Sequence, residues 1–176
     1  MEGSAKHPLV LALGNDLLGD DAVGLYALRL LRESYGEQID AAEAAGGGLE
    51  LLDILEGHTE ALLLDSITST AFCAGTVLEL SPEDFSNTAP PSPHFVGLPE
   101  VLGVAAALDL PMPRELRVVA MVVDAPCAFG DKLGEEVRQS LPFYLQSARS
   151  ILDTWLAAEP NVNRENSVSV PASSLF

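Results

Sequence analysis

One stretch of this chain constrains its fold more than any other: Leu9 to Arg32, LVLALGNDLLGDDAVGLYALRLLR. Leu9 to Leu13 is an unbroken aliphatic run of strand length, and Val23, Tyr26, Ala27, Leu30 and Leu31 then recur at the three-and-four spacing of one helical face. A strand with no polar side must be covered on both faces, which points to a parallel sheet between layers of helices. Gly14-Asn15 and Asp20-Asp21 lie where the strand hands over to the helix. In an open α/β sheet that edge opens into the crevice where ligands bind. The acidic pair has a structural reading as well: Asp is favoured at a helix N-cap, and a carboxylate in the first turn is stabilised by the helix dipole, together on the order of 1 kcal/mol. On this stretch alone both readings stand.

The same alternation runs through the chain. Ser34 to Gln38 is a polar break, and Ile39 to Ala45 is a short strand rich in Ala and Glu. After Gly46-Gly47-Gly48, Leu49 to Leu55 reads as a short helix with Leu49, Leu52 and Leu55 inward, ended by Gly57. Ala61 to Asp65, ALLLD, is a second buried strand that closes on a carboxylate, and Ser66 to Thr70 reads as a small polar loop. Thr76 to Leu80 alternates as a half-exposed edge strand does. Ser81 to Pro93 is a proline-marked loop, and a helix is expected from Leu98 to Leu108 with Pro99 in its first turn.

Leu116 to Val123 is a third aliphatic strand, and Lys132 to Ala158 a long helix. Its inward set is Val137, Leu141, Leu145, Ala148, Leu152 and Leu156, with Pro142 expected to kink or split it. The order predicts a three-layer α/β/α sandwich with a twisted, mostly parallel sheet, made mixed by the Thr76 edge strand. Residues 1–159 form one expected domain, and Pro160 to Phe176, polar and Ser/Asn-rich, a flexible tail.

Charge narrows the class of partner. Among 176 residues, 26 are acidic and 9 basic, a formal charge of −17, which repels phosphate backbones and anionic lipid and favours cations, metals and basic peptides. Nucleic acid and membrane surfaces are therefore not expected partners. No apolar run is long enough to span a bilayer, and MEGSAKHPLV lacks the features of a secretory signal, so a cytoplasmic location is expected. Cys73 and Cys127 are far apart and read as buried or unremarkable free thiols.

Three polar side chains lie at comparable places: Asp21 after the first strand, Asp65 at the end of the second, and His94 before a helix. Two carboxylates and an imidazole are a plausible set for a first-row metal that keeps open coordination positions. Each has an ordinary alternative, since Asp65 can cap its own loop and His94 can be a simple loop histidine. His7 and His58 have no functional case. GxGxxG, GxxxxGK[ST], HExxH and GxSxG are all absent, so the common nucleotide and hydrolase motifs do not name a reaction.

Four blocks together resemble the hydrogenase maturation proteases: GNDLLGDDAVG (Gly14 to Gly24), GGLELLDIL (Gly47 to Leu55), ALLLDSITS (Ala61 to Ser69) and SPHFVGLPEVL (Ser92 to Leu102). Members of that family are endopeptidases that trim the C-terminal extension of the nickel-iron hydrogenase large subunit, and their fold is a twisted sheet between helices. The resemblance implies that Asp21, Asp65 and His94 contact metal, with Asp21 standing where many relatives have Glu. It implies a substrate-assisted reaction in which nickel already inserted in the large-subunit precursor is recognised, so cleavage waits for metal loading. The cofactor is then the precursor's own nickel, or another divalent metal in the isolated protein, and a monomer is expected.

Asp20 or Glu43 is the candidate general base or loop-aligning group. The family's DGGTxG-like segment is here Glu43-Ala44-Ala45-Gly46-Gly47-Gly48, a departure that touches substrate contacts. Two other classes stay open beside this one: a metal-binding or metal-sensing protein without peptidase activity, and a nucleotide- or sugar-binding α/β domain.

Overall fold

The computed structural model describes residues 7–46, 48–81, 84, 98–124, 130 and 132–158. Five strands and four α-helices follow one another as β1 (Leu9–Leu13), α1 (Val23–Tyr35), β2 (Asp40–Ala44), α2 (Leu49–Leu55), β3 (Glu60–Ile67), β4 (Val77–Leu80), α3 (Leu98–Ala107), β5 (Glu115–Val122) and α4 (Glu135–Ala158). The strands form a single sheet in the order β2-β1-β3-β5-β4. All pairs are parallel except β4 with β5, so the sheet is mixed at the edge where it was expected to be.

Strand parity divides the core in two. Val10, Ala12, Leu62, Leu64, Val119 and Met121 face α1 and α4, while Leu9, Leu11, Leu13, Leu63, Val118 and Ala120 face α2 and α3. β1, β3 and β5 are largely apolar on both sides because each lies between two helical layers, which is what their aliphatic runs require; in β5 only the stretch from Val118 is fully buried. Among the described residues, no helix is long and apolar enough to cross a membrane.

The connections explain where the crevice falls. From β1 the chain crosses over one face through α1 to reach β2, and from β2 it returns through α2 over the other face to reach β3, on the far side of β1. The chain leaves the carboxyl ends of β1 and β3 in opposite directions along the sheet. In open α/β sheets such a divergence marks the strand ends at which ligands ordinarily bind.

Several local expectations need correction. In α2 the buried leucines are Leu51 and Leu55, and Leu49 is 69% exposed, because the helix starts only at Leu49 and its first turn stands over the sheet edge. Pro142 does not split α4, which runs unbroken from Glu135 to Ala158. Pro142 and Arg138, whose carbonyl loses its helical partner, both lie on the exposed face, where water replaces the bond. Tyr144, Ile151 and Trp155 join the buried stripe of α4 and Leu156 does not. Cys73 is exposed, and Cys127 lies outside the described residues. The polar segment from Pro160 also lies outside them.

Candidate active site

The loop after β1 is built around Gly14. Its φ is +142°, and a Cβ there would stand 2.1 Å from the Asp21 carbonyl oxygen, so the loop closes only on glycine. The closed loop brings the Asn15 amide to Asp21, donating to Oδ2 at 2.8 Å. Asn15 Oδ1 in turn accepts from the Leu17 amide at 3.0 Å. Gly19–Ala22 form a short 3₁₀ turn that runs directly into α1.

Neither aspartate caps that helix, since neither the 3₁₀ turn nor α1 has a side-chain cap hydrogen bond at its start. The capping reading of the acidic pair therefore does not hold. Asp20 instead reaches across to α4, where Oδ1 accepts from the Gly134 amide at 2.6 Å. Gly134 is the residue before α4, and its carbonyl accepts the helix's early bond from Arg138 at 2.9 Å. The loop is tied to the same segment through its backbone, by Gly19 N to Gly130 O at 2.8 Å and Gly130 N to Leu17 O at 3.2 Å.

Asp65 is 0% exposed and lies within β3 rather than at its end, because the strand continues through the buried Ser66 and Ile67. Its Oδ1 accepts from the Ser66 amide at 2.7 Å. The Ser66 hydroxyl donates to Asp21 Oδ1 at 2.8 Å. Asp21 is 7% exposed and Ser66 4%, so two carboxylates 44 positions apart meet in a nearly closed place through one serine. Beneath them the buried Tyr144 hydroxyl lies 3.1 Å from the Asp65 carbonyl and 3.0 Å from that of Val119. Burial raises the Tyr144 hydroxyl well above its ordinary pKa, and the nearby charge of Asp65 raises it further.

The start of α1 is pressed onto this site. A Cβ on Gly24 would lie 2.6 Å from the Leu64 carbonyl and 2.9 Å from that of Leu13, so the helix rests on the strand ends only because residue 24 has no side chain. Glu43 is one strand further out. It pairs with Ala12, which pairs with Leu64, so Glu43 stands about 10 Å from β3, on the sheet face it shares with Ser66, with its side chain exposed. His94 lies outside the described residues. The helix that follows it in sequence, α3, covers the face onto which Asp65 projects. His58 is at the opposite edge of the sheet, with Nε2 3.4 Å from Asp40 Oδ2.

The structure thus joins Asp21 to Asp65, turns Asp20 toward α4 and leaves Glu43 at the rim. Among the described residues no three of His, Cys, Asp and Glu form a metal-sized group, as expected where only two members of the sequence-derived set are described. The donors present suit a cation: Asp21 and Asp65 are buried carboxylates, and each oxygen that accepts a hydrogen bond from Asn15 or Ser66 has lone pairs beyond it. Ser66 and Tyr144 were missed in the sequence. Ser66 carried one readable signal, since Ile67 continues the apolar run beyond it; Tyr144 is hidden by the long spacing from α4 to β3.

No family model matches the chain. It is 29% identical over 123 residues to the hydrogenase 2 maturation protease of Escherichia coli K12, an alignment covering 66% of this chain and 73% of that protein. It is 28% identical over 157 residues to the hydrogenase expression/formation protein HupM of Azotobacter chroococcum mcd 1, covering 86% and 74%. Its fold matches the hydrogenase maturating endopeptidase HybD from E. coli with a TM-score of 0.72 at 24% identity, over 85% of this chain and 93% of that one. It also matches the [NiFe] hydrogenase maturation protease HybD from Thermococcus kodakarensis with a TM-score of 0.67 at 25% identity, over 83% and 99%. In sequence and in fold the chain is therefore similar to the hydrogenase maturation proteases, which are peptide hydrolases.

Proposed function

We propose that this protein removes the C-terminal extension of a nickel-iron hydrogenase large-subunit precursor after nickel insertion, and that it recognises the nickel carried by that substrate through Asp21, Asp65 and His94. The single observation that carries the reading is the pair of buried carboxylates joined through Ser66 at the strand ends where the sheet's connections diverge. Buried carboxylate oxygens are hard donors, and a cation that arrives with the substrate is favoured beside them. Carboxylate and imidazole donors then complete the coordination of a metal whose other ligands belong to the precursor. Docking the metal also fixes the neighbouring peptide against the crevice, turning recognition into orientation of the scissile bond.

Asp20 and Glu43 divide the remaining work. Asp20 is engaged by the Gly134 amide and aligns the β1 loop against α4. Glu43 is exposed at the rim, where a peptide crossing from the end of β3 over β1 passes it, and is the candidate base for the attacking water. The acidic, helix-covered chain acts in this reading as a cytoplasmic monomer.

The deciding experiment is incubation of the purified protein with nickel-loaded and nickel-free precursor, reading the mass lost from the precursor's C-terminus. Cleavage of the loaded form alone supports the proposal, and Asp21→Asn, Asp65→Asn and His94→Ala each abolish it while circular dichroism stays unchanged. Cleavage of both forms at one rate overturns nickel recognition. Normal processing by any of the three variants removes that residue from the set.

A further inference from the structure

We infer that Ser66 is a positioning residue that sets the orientation of Asp21 relative to Asp65, and that the metal-recognition site is incomplete without its hydroxyl. The inference rests on the nickel-recognition reading proposed above. Its basis is the division of labour within one residue. The Ser66 amide donates to Asp65 Oδ1 at 2.7 Å and the Ser66 hydroxyl donates to Asp21 Oδ1 at 2.8 Å, so both carboxylates are referenced to the same backbone position.

That backbone position is itself held. Ser66 pairs with Met121 in the β3–β5 ladder, while the ladder between β1 and β3 stops at Leu64. Past the end of β1 the Ser66 amide has no neighbouring strand to donate to, and the side chain of Asp65 takes the bond instead. The hydroxyl lies on the face toward α1, where the β1 loop delivers Asp21. Asp21 is then held from two directions, by Ser66 on Oδ1 and by the Asn15 amide on Oδ2 at 2.8 Å, which leaves its carboxylate little rotational freedom.

A hydroxyl suits this position for a physical reason. A neutral hydroxyl donating to Asp21 stabilises and orients that carboxylate without adding a positive charge that would compete with an incoming cation. Partners that orient a ligand in this way, without touching the metal, ordinarily change metal affinity about 10- to 100-fold when removed.

Ser66→Ala tests this cleanly, because it deletes the hydroxyl and keeps the amide that holds Asp65. The full-length protein is assayed on nickel-loaded precursor for kcat and KM. Nickel-free precursor is added as a competitive inhibitor, so that its Ki reports docking that does not involve the metal. The expected result is a loss of kcat/KM on loaded precursor of about tenfold or more, with Ki for the nickel-free form unchanged. Unchanged kcat/KM in Ser66→Ala overturns the positioning role and leaves the proposed function standing. An equal weakening of kcat/KM and Ki assigns Ser66 to the fold alone and likewise overturns it. A wild-type protein that cleaves neither form, or both alike, overturns the nickel-recognition reading, and the role of Ser66 falls with it.

Discussion

The loops that leave β1 and β2 begin at the same edge of the sheet, and each combines glycines with an acidic residue. Their construction differs. In the β1 loop Gly14 and Gly24 are glycines because backbone carbonyls occupy the space a Cβ would need, and the side chains of Asn15, Asp20 and Asp21 are all hydrogen-bonded within the protein. In the β2 loop a Cβ on Gly48 would meet nothing within 4 Å, one on Gly46 would meet only the Glu50 carboxylate at 3.0 Å, and Glu43 is exposed. The first loop is a fixed template for two carboxylates. The second has room to adjust to what docks on it. A site that must read one metal geometry while threading a peptide needs both kinds of wall.

The widest break in that comparison comes from filling the glycines. Gly14→Ala sets a methyl against the Asp21 carbonyl and is expected to cost about 4 kcal/mol, among the largest single-residue effects. Gly24→Ala pushes α1 off the carbonyls of Leu13 and Leu64 and is expected to cost about 3 kcal/mol. Gly46→Ala meets only the movable tip of Glu50 and is expected to stay within about 0.5 kcal/mol. Urea denaturation of the three variants checks the ranking. A Gly46→Ala cost equal to that of Gly24→Ala erases the distinction between the loops.

What the sequence disclosed follows the same line. The strands β1, β3 and β5 were legible because each is buried on both faces and so carries a run of aliphatic residues, and the edge strand β4 because one exposed side gave it alternation. Leu49 misled because a helix start at a sheet edge can leave its first apolar residue in solvent. Pro142 misled because its missing bond falls where water replaces it. At the site, Asp21 stood out where the first strand hands over to a helix and Asp65 as a carboxylate closing an apolar run, but their link could not be read. It depends on Ser66, and whether a serine after Asp65 faces Asp21 is decided by strand parity and by where β1 stops. The acidic pair Asp20-Asp21 looked like a cap because local hydrogen bonding is the usual use of Asp, whereas Asp20 serves a helix 114 positions away.

The rigid half of the site also has an alkaline signature. The folded state keeps the Tyr144 proton over a range in which the unfolded chain has lost it, because burial and the charge of Asp65 raise its pKa from the ordinary 10.0. The folded state therefore binds more protons there, and stability falls as pH rises above about 10, by about 1.4 kcal/mol per pH unit for this group. Tyr35, raised chiefly by burial and by its hydrogen bond to Asp153, adds a second proton to the same slope. Urea midpoints between pH 9 and 11.5 for the wild type and Tyr144→Phe measure the contribution. The variant is expected to lose about half of the slope, and an unchanged slope would show that the floor of the carboxylate site tolerates a charged tyrosine.

The smallest effect on stability separates the two candidate bases, one in each loop. Asp20→Ala removes the acceptor for the Gly134 amide and is expected to cost about 1.5 kcal/mol, as the loss of a hydrogen bond to a charged group does. Its processing rate is expected to stay within a few-fold of wild type once the assay is run below the variant's unfolding temperature. Glu43→Gln changes an exposed side chain on the edge strand, so its stability is expected to stay within about 0.5 kcal/mol of wild type. Its kcat on loaded precursor is expected to fall about 100-fold if that carboxylate takes the proton of the attacking water, with KM little changed. The reverse pattern, a large kcat loss in Asp20→Ala and none in Glu43→Gln, would move the chemistry into the fixed loop. The β2 loop would then serve only to receive the peptide, and the Gly134 contact would be a bond that the reaction must break before Asp20 can act.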